Sequence, residues 1–243
     1  MNIRRFLIEP FTETSAIGRT LSISGDEYHH LKNVNRAQIG DTVEMIDGVG
    51  SLFYGVIRAL KAREALVDIN NELRTEKPPV HITIAPSLLK QRPMGFLIEK
   101  LTELGVDEIR PLIFARTDEK YNSSRLKKWQ KIAQQSLKVN KRLWSTDIFP
   151  PVTIPELLCS AGVDSTRILL DIAGATSSSV SWQFPVIVII GPPGDFTPEE
   201  RQQIVNSRFL PYNINDSVLK SETAAISIAA ILKAAAVQHP YRG

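Results

Sequence analysis

The residues best suited to chemistry follow an apolar run. Val186-Ile187-Val188-Ile189-Ile190 leads into Gly191-Pro192-Pro193-Gly194-Asp195-Phe196-Thr197. A continuous β-branched run belongs to the buried centre of a parallel sheet. Ligands of such sheets bind beyond the carboxyl ends of the strands, so this turn is the first place to look. A phosphate cradle needs a row of backbone N–H donors, and Pro192 and Pro193 have none. The Gly-Lys-Ser/Thr ending of a P-loop is missing as well. The turn suits a ligand recognised by carbonyls, a few amides and shape, and adenosine with a sulfonium tail is one. The plainer reading is a tight strand-to-helix turn capped by Thr197.

A second candidate is Asn215-Asp216-Ser217-Val218-Leu219-Lys220-Ser221-Glu222-Thr223-Ala224-Ala225, where polar residues run into an alanine-rich helix. Ser221 is placed to be its N-cap. The partly positive helix start would favour Glu222 as a carboxylate. Simple helix capping is the plainer alternative. A third candidate is basic: Arg125 to Arg142 carries seven Lys/Arg and no Asp or Glu. Trp129 and Trp144 are interleaved with Arg125, Lys128, Lys138 and Arg142. A face of one sign attracts phosphates, and aromatics stack on unpaired bases. A solvated helix face with core tryptophans is the alternative. His29-His30 has no carboxylate or further His at ligand spacing, so no metal is expected there. RNA contact or local packing fits the pair better.

The elements that must position these residues fall into two grammars. Up to about Asn70 the chain reads as short strands, including a hairpin of Thr42–Ile46 and Leu52–Ile57 around Asp47-Gly48. Ala65–Ile69 is a further strand, and this spacing suggests a small β-barrel. A charged stretch ending in Pro78-Pro79 is the best linker. Beyond it strands and helices alternate: strand Val80–Ala85, helix Pro93–Leu104 stopped by Gly105, and strand Ile109–Phe114. Helix Ser124–Val139, strand Arg167–Leu170, the 186–190 run, helix Pro198–Asn206, a weak strand at Tyr212–Ile214 and helix Glu222–Gln238 follow. That alternation predicts an α/β domain with a mostly parallel sheet. The last helix is apolar on nearly every face, so it is expected to thread through the fold or to meet a partner subunit.

Composition sets the limits. At 243 residues with 43% hydrophobic content, one large or two smaller domains can form a core. A net charge of +3 permits a nucleic-acid partner without demanding one. A single cysteine, Cys159, excludes an internal disulfide framework. Neither a signal peptide nor a membrane span is expected, which makes the cytoplasm the default location.

Together these motifs resemble the RsmE family, SPOUT-class methyltransferases that modify uridine N3 in 16S ribosomal RNA. His30, Asn33-Val34-Asn35-Arg36, Gly40-Asp41 and Asp47-Gly48-Val49-Gly50 look like its PUA-like RNA-binding domain. Glu99 through Val106 is similar to its Lys-Thr-Glu-Leu-Gly helix. Trp129–Ala133 and Gln135–Lys138 look like the next helix. Gly191 through Glu200 resembles its Gly-Pro-Glu-Gly-Gly-Phe-Thr loop, and Val218 through Ala224 its Leu-Arg-Thr-Glu-Thr-Ala segment. The likeness spans essentially the whole chain. It departs at Pro193 (family Glu), Asp195 (Gly), Asn215 (Gly) and Lys220 (Arg).

The resemblance implies a PUA-like β-barrel domain (1–72), a linker (73–79) and a SPOUT α/β domain with a C-terminal trefoil knot (80–243). It implies a homodimer through that second domain; no metal and no membrane are expected from the residues read above. The cofactor implied is S-adenosyl-L-methionine, held by Leu170, Asp171, Ile172, Gly191, Pro192, Gly194, Ile214, Asn215, Val218, Leu219, Ser221, Thr223 and Ala224. The expected RNA contacts are His30, Arg36, Arg125, Lys128 and Lys138, and the partner is 16S rRNA or the assembled small ribosomal subunit. Uridine N3 must lose a proton to attack, so Glu222 is the expected base and Lys220, Arg92 and Arg142 the candidate cations. Two rivals stand beside this: an RNA-binding protein of the same fold with weak or no catalysis, and an unrelated nucleotide-dependent enzyme. The second should carry a Gly-x-Gly-x-x-Gly turn after its first strand. Pro86-Ser87-Leu88-Leu89-Lys90 has no glycine.

Overall fold

The computed structural model describes residues 4–160, 165–175 and 182–238. It divides the chain into two compact units, 1–77 with 134–145, and 78–133 with 146–243.

The first unit holds β1 (Arg4–Leu7), β2 (Thr20–Ser24), α1 (Gly25–His29) with a π-helical turn (His30–Val34), β3 (Thr42–Ile46), β4 (Ser51–Leu60) and β5 (Glu64–Arg74). Its sheet runs β1-β3-β4-β5-β2 and is antiparallel except for β1 beside β3. The expected hairpin is β3–β4. Its turn places Gly48 and Gly50 at φ +73° and +106°, where a side chain is strained. The buried Asp47 Oδ1 closes the turn by accepting from the N–H groups of Val49 (3.0 Å) and Ser51 (2.9 Å). Phe6, Ile23, Leu31, Met45, Phe53 and Val67 fill the unit's core. β1, β2 and α1 were not foreseen from the sequence.

The second unit contains β6 (Ile82–Pro86), α2 (Gln91–Leu104), β7 (Glu108–Ile109), β8 (Leu112–Ile113), α3 (Ser123–Val139), β9 (Asp147–Ile148), β10 (Val152–Thr153), α4 (Ile154–Ser160), β11 (Thr166–Ala175), β12 (Val186–Ile190), α5 (Pro198–Asn206), β13 (Leu210–Tyr212) and α6 (Ser221–Gln238). Six parallel strands form one sheet in the order β13-β11-β12-β6-β7-β9. β12 lies inside it, and its alternate side chains serve opposite faces. Val186, Val188 and Ile190 join the core with α2 and α6. Ile187 and Ile189 join Leu157 of α4 and Ile204 of α5. Covering both faces is what a β-branched run requires. α2 ends as expected: Gly105 adopts φ +78° and donates to the carbonyls of Leu101 and Thr102.

Two expectations are corrected. The single strand at 109–114 is two short ones, β7 and β8, in different sheets, because Pro111 interrupts the run. The stretch 134–145, expected within the second domain, belongs to the first unit, so α3 begins in one unit and ends in the other. For α6 both expected alternatives stay open: in the single chain it buries one face, through Ala224, Ala225, Ile228, Ala229 and Leu232. Ile231 is 37% and Val237 84% exposed on the rest of it. Among the described residues no helix is long and apolar enough to cross a membrane.

Candidate functional site

The site follows from where the strands stop. β6 and β12 end in register at Pro86 and Ile190, level with Leu170 of β11, which also pairs with Tyr212 of β13. Beyond these carboxyl ends lies a cavity of about 740 Å³. Its walls are the loop after β6 with the start of α2, the turn after β12, the end of β11, and the β13–α6 connection.

The turn after β12 is closed by hydrogen bonds. The Asp195 N–H bonds the Pro192 carbonyl at 3.0 Å, closing a four-residue turn. Thr197 then caps α5 in a reciprocal box with Glu200. Glu200 Oε1 also accepts the Ala115 N–H at 2.6 Å. The capped-turn reading and the ligand-site reading therefore describe one loop. Gly191 is required by space: a Cβ there would meet the Phe196 ring at 2.8 Å.

Ser221 joins this turn to the last helix. It is helical, and its hydroxyl donates to the Gly191 carbonyl at 3.0 Å and lies 3.4 Å from the buried Ser87 hydroxyl. That replaces the expected N-cap role. The β13–α6 loop is stitched by its asparagines. Asn213 Nδ2 donates to the Ile172 carbonyl at 2.9 Å, and Asn215 Nδ2 to the Ser217 hydroxyl at 2.7 Å. β11 breaks its ladder between Leu170 and Ala175. The bulge carries Asp171 and Ile172 to the cavity wall, as bulges beside functional sites do.

Of the expected cofactor contacts, Leu170, Asp171, Ile172, Gly191, Pro192, Ile214, Asn215, Val218, Leu219, Ser221 and Ala224 line this one cavity, as do Lys220 and Glu222. Gly194 and Thr223 do not line it. Gly194 points its carbonyl to Arg116, and Thr223 is exposed on α6. Neither Arg92, exposed on α2, nor Arg142, in the first unit, is among the lining residues. The cation that does line the cavity beside Lys220 is Lys90, immediately before α2. Sequence reasoning passed it over in the glycine-free stretch after β6. Tyr212, Phe196 and Leu89 were likewise missed as wall residues.

Two members of the basic stretch, Arg125 and Lys138, are spent on structure. Arg125, with its side chain only 11% exposed, donates to the carbonyls of Leu89 and Lys120 at 2.7 Å each and pairs with Glu119. Lys138 is buried and paired with Glu27 at 2.5 Å. Trp129 is a core residue, and Trp144 packs on Gly50 and donates to Thr75. These contacts remove Arg125, Lys138 and Trp129 from a free surface, while Trp144 is half-buried. Lys128 and Arg36 are exposed, and His30 is half-buried edge-on to Phe6. Among the described residues no cluster of three or more His, Cys, Asp or Glu could hold a metal.

Comparison with known proteins matches this architecture. The family model of an RNA methyltransferase domain covers residues 76–233, and that of an RNA methyltransferase PUA domain covers residues 23–70. A solved Legionella pneumophila protein, described as a methyltransferase in complex with S-adenosylmethionine, is 26% identical, with a TM-score of 0.85 over 97% of this chain and 98% of its own. The fold and site thus define a two-domain RNA methyltransferase. Relatives named ribosomal RNA small subunit methyltransferase E are 28% identical in Aquifex aeolicus (88% of this chain, 94% of the relative) and 30% in Mesomycoplasma hyopneumoniae (65% and 69%). This chain belongs to that family, the RsmE family.

Proposed function

We propose that this chain transfers a methyl group from S-adenosylmethionine to N3 of a uridine in small-subunit (16S) ribosomal RNA. The observation that carries the reading is the Ser221–Gly191 hydrogen bond at 3.0 Å, which joins the Gly-Pro turn and the entrance of α6 in one cavity. The residues present fit the cofactor. The volume suits a nucleoside with a tail, in the ordinary range for small-molecule sites. Leu170, Ile190, Ile214 and Leu219 offer an apolar surface for adenine, and the proline-rich turn lacks the amides a pyrophosphate needs. Asp171, Ile172, Gly191, Pro192, Asn215, Val218, Ser221 and Ala224 complete the holding set. Asp195 and Glu222 supply negative charge toward a sulfonium. Bound there, the cofactor supplies an electrophilic methyl group.

The chain's own residues prepare the base. Glu222 takes the N3 proton, and Lys220 with Lys90 stabilises the negative charge left on the uracil carbonyls. Arg36, His30 and Lys128 guide the RNA. The apolar outer face of α6, with Ile231 and Val237, supports a homodimer through the second unit.

The test is incubation of the purified protein with tritiated S-adenosylmethionine and either small subunits or bare 16S rRNA from cells lacking the gene. Nucleoside mass mapping should find N3-methyluridine. A different methylated nucleoside refutes the choice of atom. RNA binding without cofactor binding or label makes the chain a binding protein of the same fold.

A further inference from the structure

Resting on the cofactor reading above, we infer that Arg201, which does not line the cavity, is the residue that positions its β11 wall for S-adenosylmethionine. After Leu170, residues 171–174 have no ladder partners until Ala175 pairs with Tyr212. Backbone without a ladder is held by side chains, and three fasteners are present. Asp171 Oδ1 accepts the Ala173 N–H at 2.9 Å, and Asn213 Nδ2 bonds the Ile172 carbonyl at 2.9 Å. Both act within the β11–β13 edge. The third is the ion pair between Arg201 and Asp171 Oδ2, and it reaches across to α5.

α5 is itself fixed to the Gly191–Phe196 turn. The Arg201 N–H bonds the Thr197 carbonyl at 3.0 Å, inside the capping box that starts the helix. The ion pair therefore ties two cavity walls that the backbone leaves separate. Its geometry is asymmetric: the Asp171 side chain is 7% exposed and that of Arg201 39%. Removing the guanidinium leaves a nearly buried carboxylate without its cation at the cavity wall. The bulge must then move, or the carboxylate must draw in water or a proton. Either change reshapes the wall that Asp171 and Ile172 present.

The test is calorimetry of the full-length protein with S-adenosylmethionine, beside single-turnover methylation and RNA binding. Arg201→Met should raise the cofactor Kd on the order of tenfold, because small displacements of positioning groups are costly. At saturating cofactor its single-turnover rate should stay near the wild-type value, and its RNA affinity should not change. Arg201→Lys, which keeps the charge, should recover part of the loss. Asp171→Asn combined with Arg201→Met should bind better than Arg201→Met alone, since no uncompensated charge remains. If the wild-type protein binds no cofactor, the cofactor reading itself fails. If the wild type binds and both Arg201 variants bind equally well, this inference is overturned. Should Arg201→Met not fold, Arg201→Gln takes its place, and an unchanged Kd in that variant overturns the inference just as well.

Discussion

Gly191→Ala tests whether the turn after β12 is as tightly built as its geometry implies. A Cβ at this position would stand 2.8 Å from two atoms of the Phe196 ring and 3.4 Å from a third. Carbon atoms rest at about 3.5 Å or more, so the ring must retreat by roughly 0.7 Å. It has little room to do so. Phe196 is buried and packs edge-on against Phe114 at 5.3 Å, with Leu112 and Ile204 in the same cluster. Overpacking of this kind costs about 1–3 kcal/mol. Phe196 also lines the cavity, so the displaced ring should loosen cofactor binding by about tenfold for each 1.4 kcal/mol carried into the site. Urea unfolding reads the first quantity and calorimetry with S-adenosylmethionine the second. Adding Phe196→Leu to Gly191→Ala should restore part of the stability, because a smaller side chain accepts the extra methyl. A Gly191→Ala protein with wild-type stability and cofactor affinity would refute the steric argument.

Other variants divide the roles assigned above. Arg125→Met should cost roughly 1.5–3 kcal/mol in urea unfolding through its lost charge-assisted bonds. Lys128→Met should leave stability alone and reduce the salt slope of RNA binding by about one. Equal effects of the two on the salt slope would return Arg125 to the RNA surface. Lys90→Met should slow single-turnover methylation on the order of a hundredfold and move its pH–rate profile to higher pH, since less cationic help reaches the deprotonated base. An unmoved profile removes Lys90 from that role. The hydrogen bond from His81, aided by Arg110, lowers the pKa of Glu108 from its ordinary 4.5 to about 2. A carboxylate that is more acidic when folded adds stability above its unfolded pKa and loses it as the pH falls from about 4.5 toward 2. Glu108→Gln should flatten that stretch of the stability–pH curve, and a curve identical to wild type would show that the pair contributes nothing.

The elements legible in the sequence are those whose own composition dictates them. The β12 run is β-branched throughout, and α2 has its glycine stop. The β3–β4 hairpin has its Asp-Gly turn. The elements that were not legible depend on partners far along the chain. Nothing local says that α3 ends in the first unit, because a helix has the same periodicity whichever body its last turn packs on. Counting charges on that helix also misled, since a count does not see that Arg125 is spent on the Leu89 carbonyl or Lys138 on Glu27. The same blindness favoured Arg92 and Arg142 over Lys90, the lysine that lines the cavity. Which lysine or arginine reaches a cavity is decided by where strands end, not by the run of charges around it.

The departures from the family pattern show the converse, residues whose meaning appears only in the turn geometry. Pro193 takes the second position of the turn closed by the Asp195 N–H and the Pro192 carbonyl, where a fixed φ is an asset and no N–H is required. Asp195 follows at φ +65°, a left-handed conformation that aspartate tolerates better than most side chains, and its carboxylate accepts the Phe196 N–H at 2.8 Å. Asn215 uses its amide to bind Ser217, closing the loop by hydrogen bonding where a glycine would bend it. All three residues therefore shape the cavity wall of this chain through its turn geometry and hydrogen bonds. What they do not preserve is the family's glutamate beside the glycine-proline pair. On the function proposed above, the proton acceptor comes from the other wall, where Glu222 is the glutamate that lines the cavity.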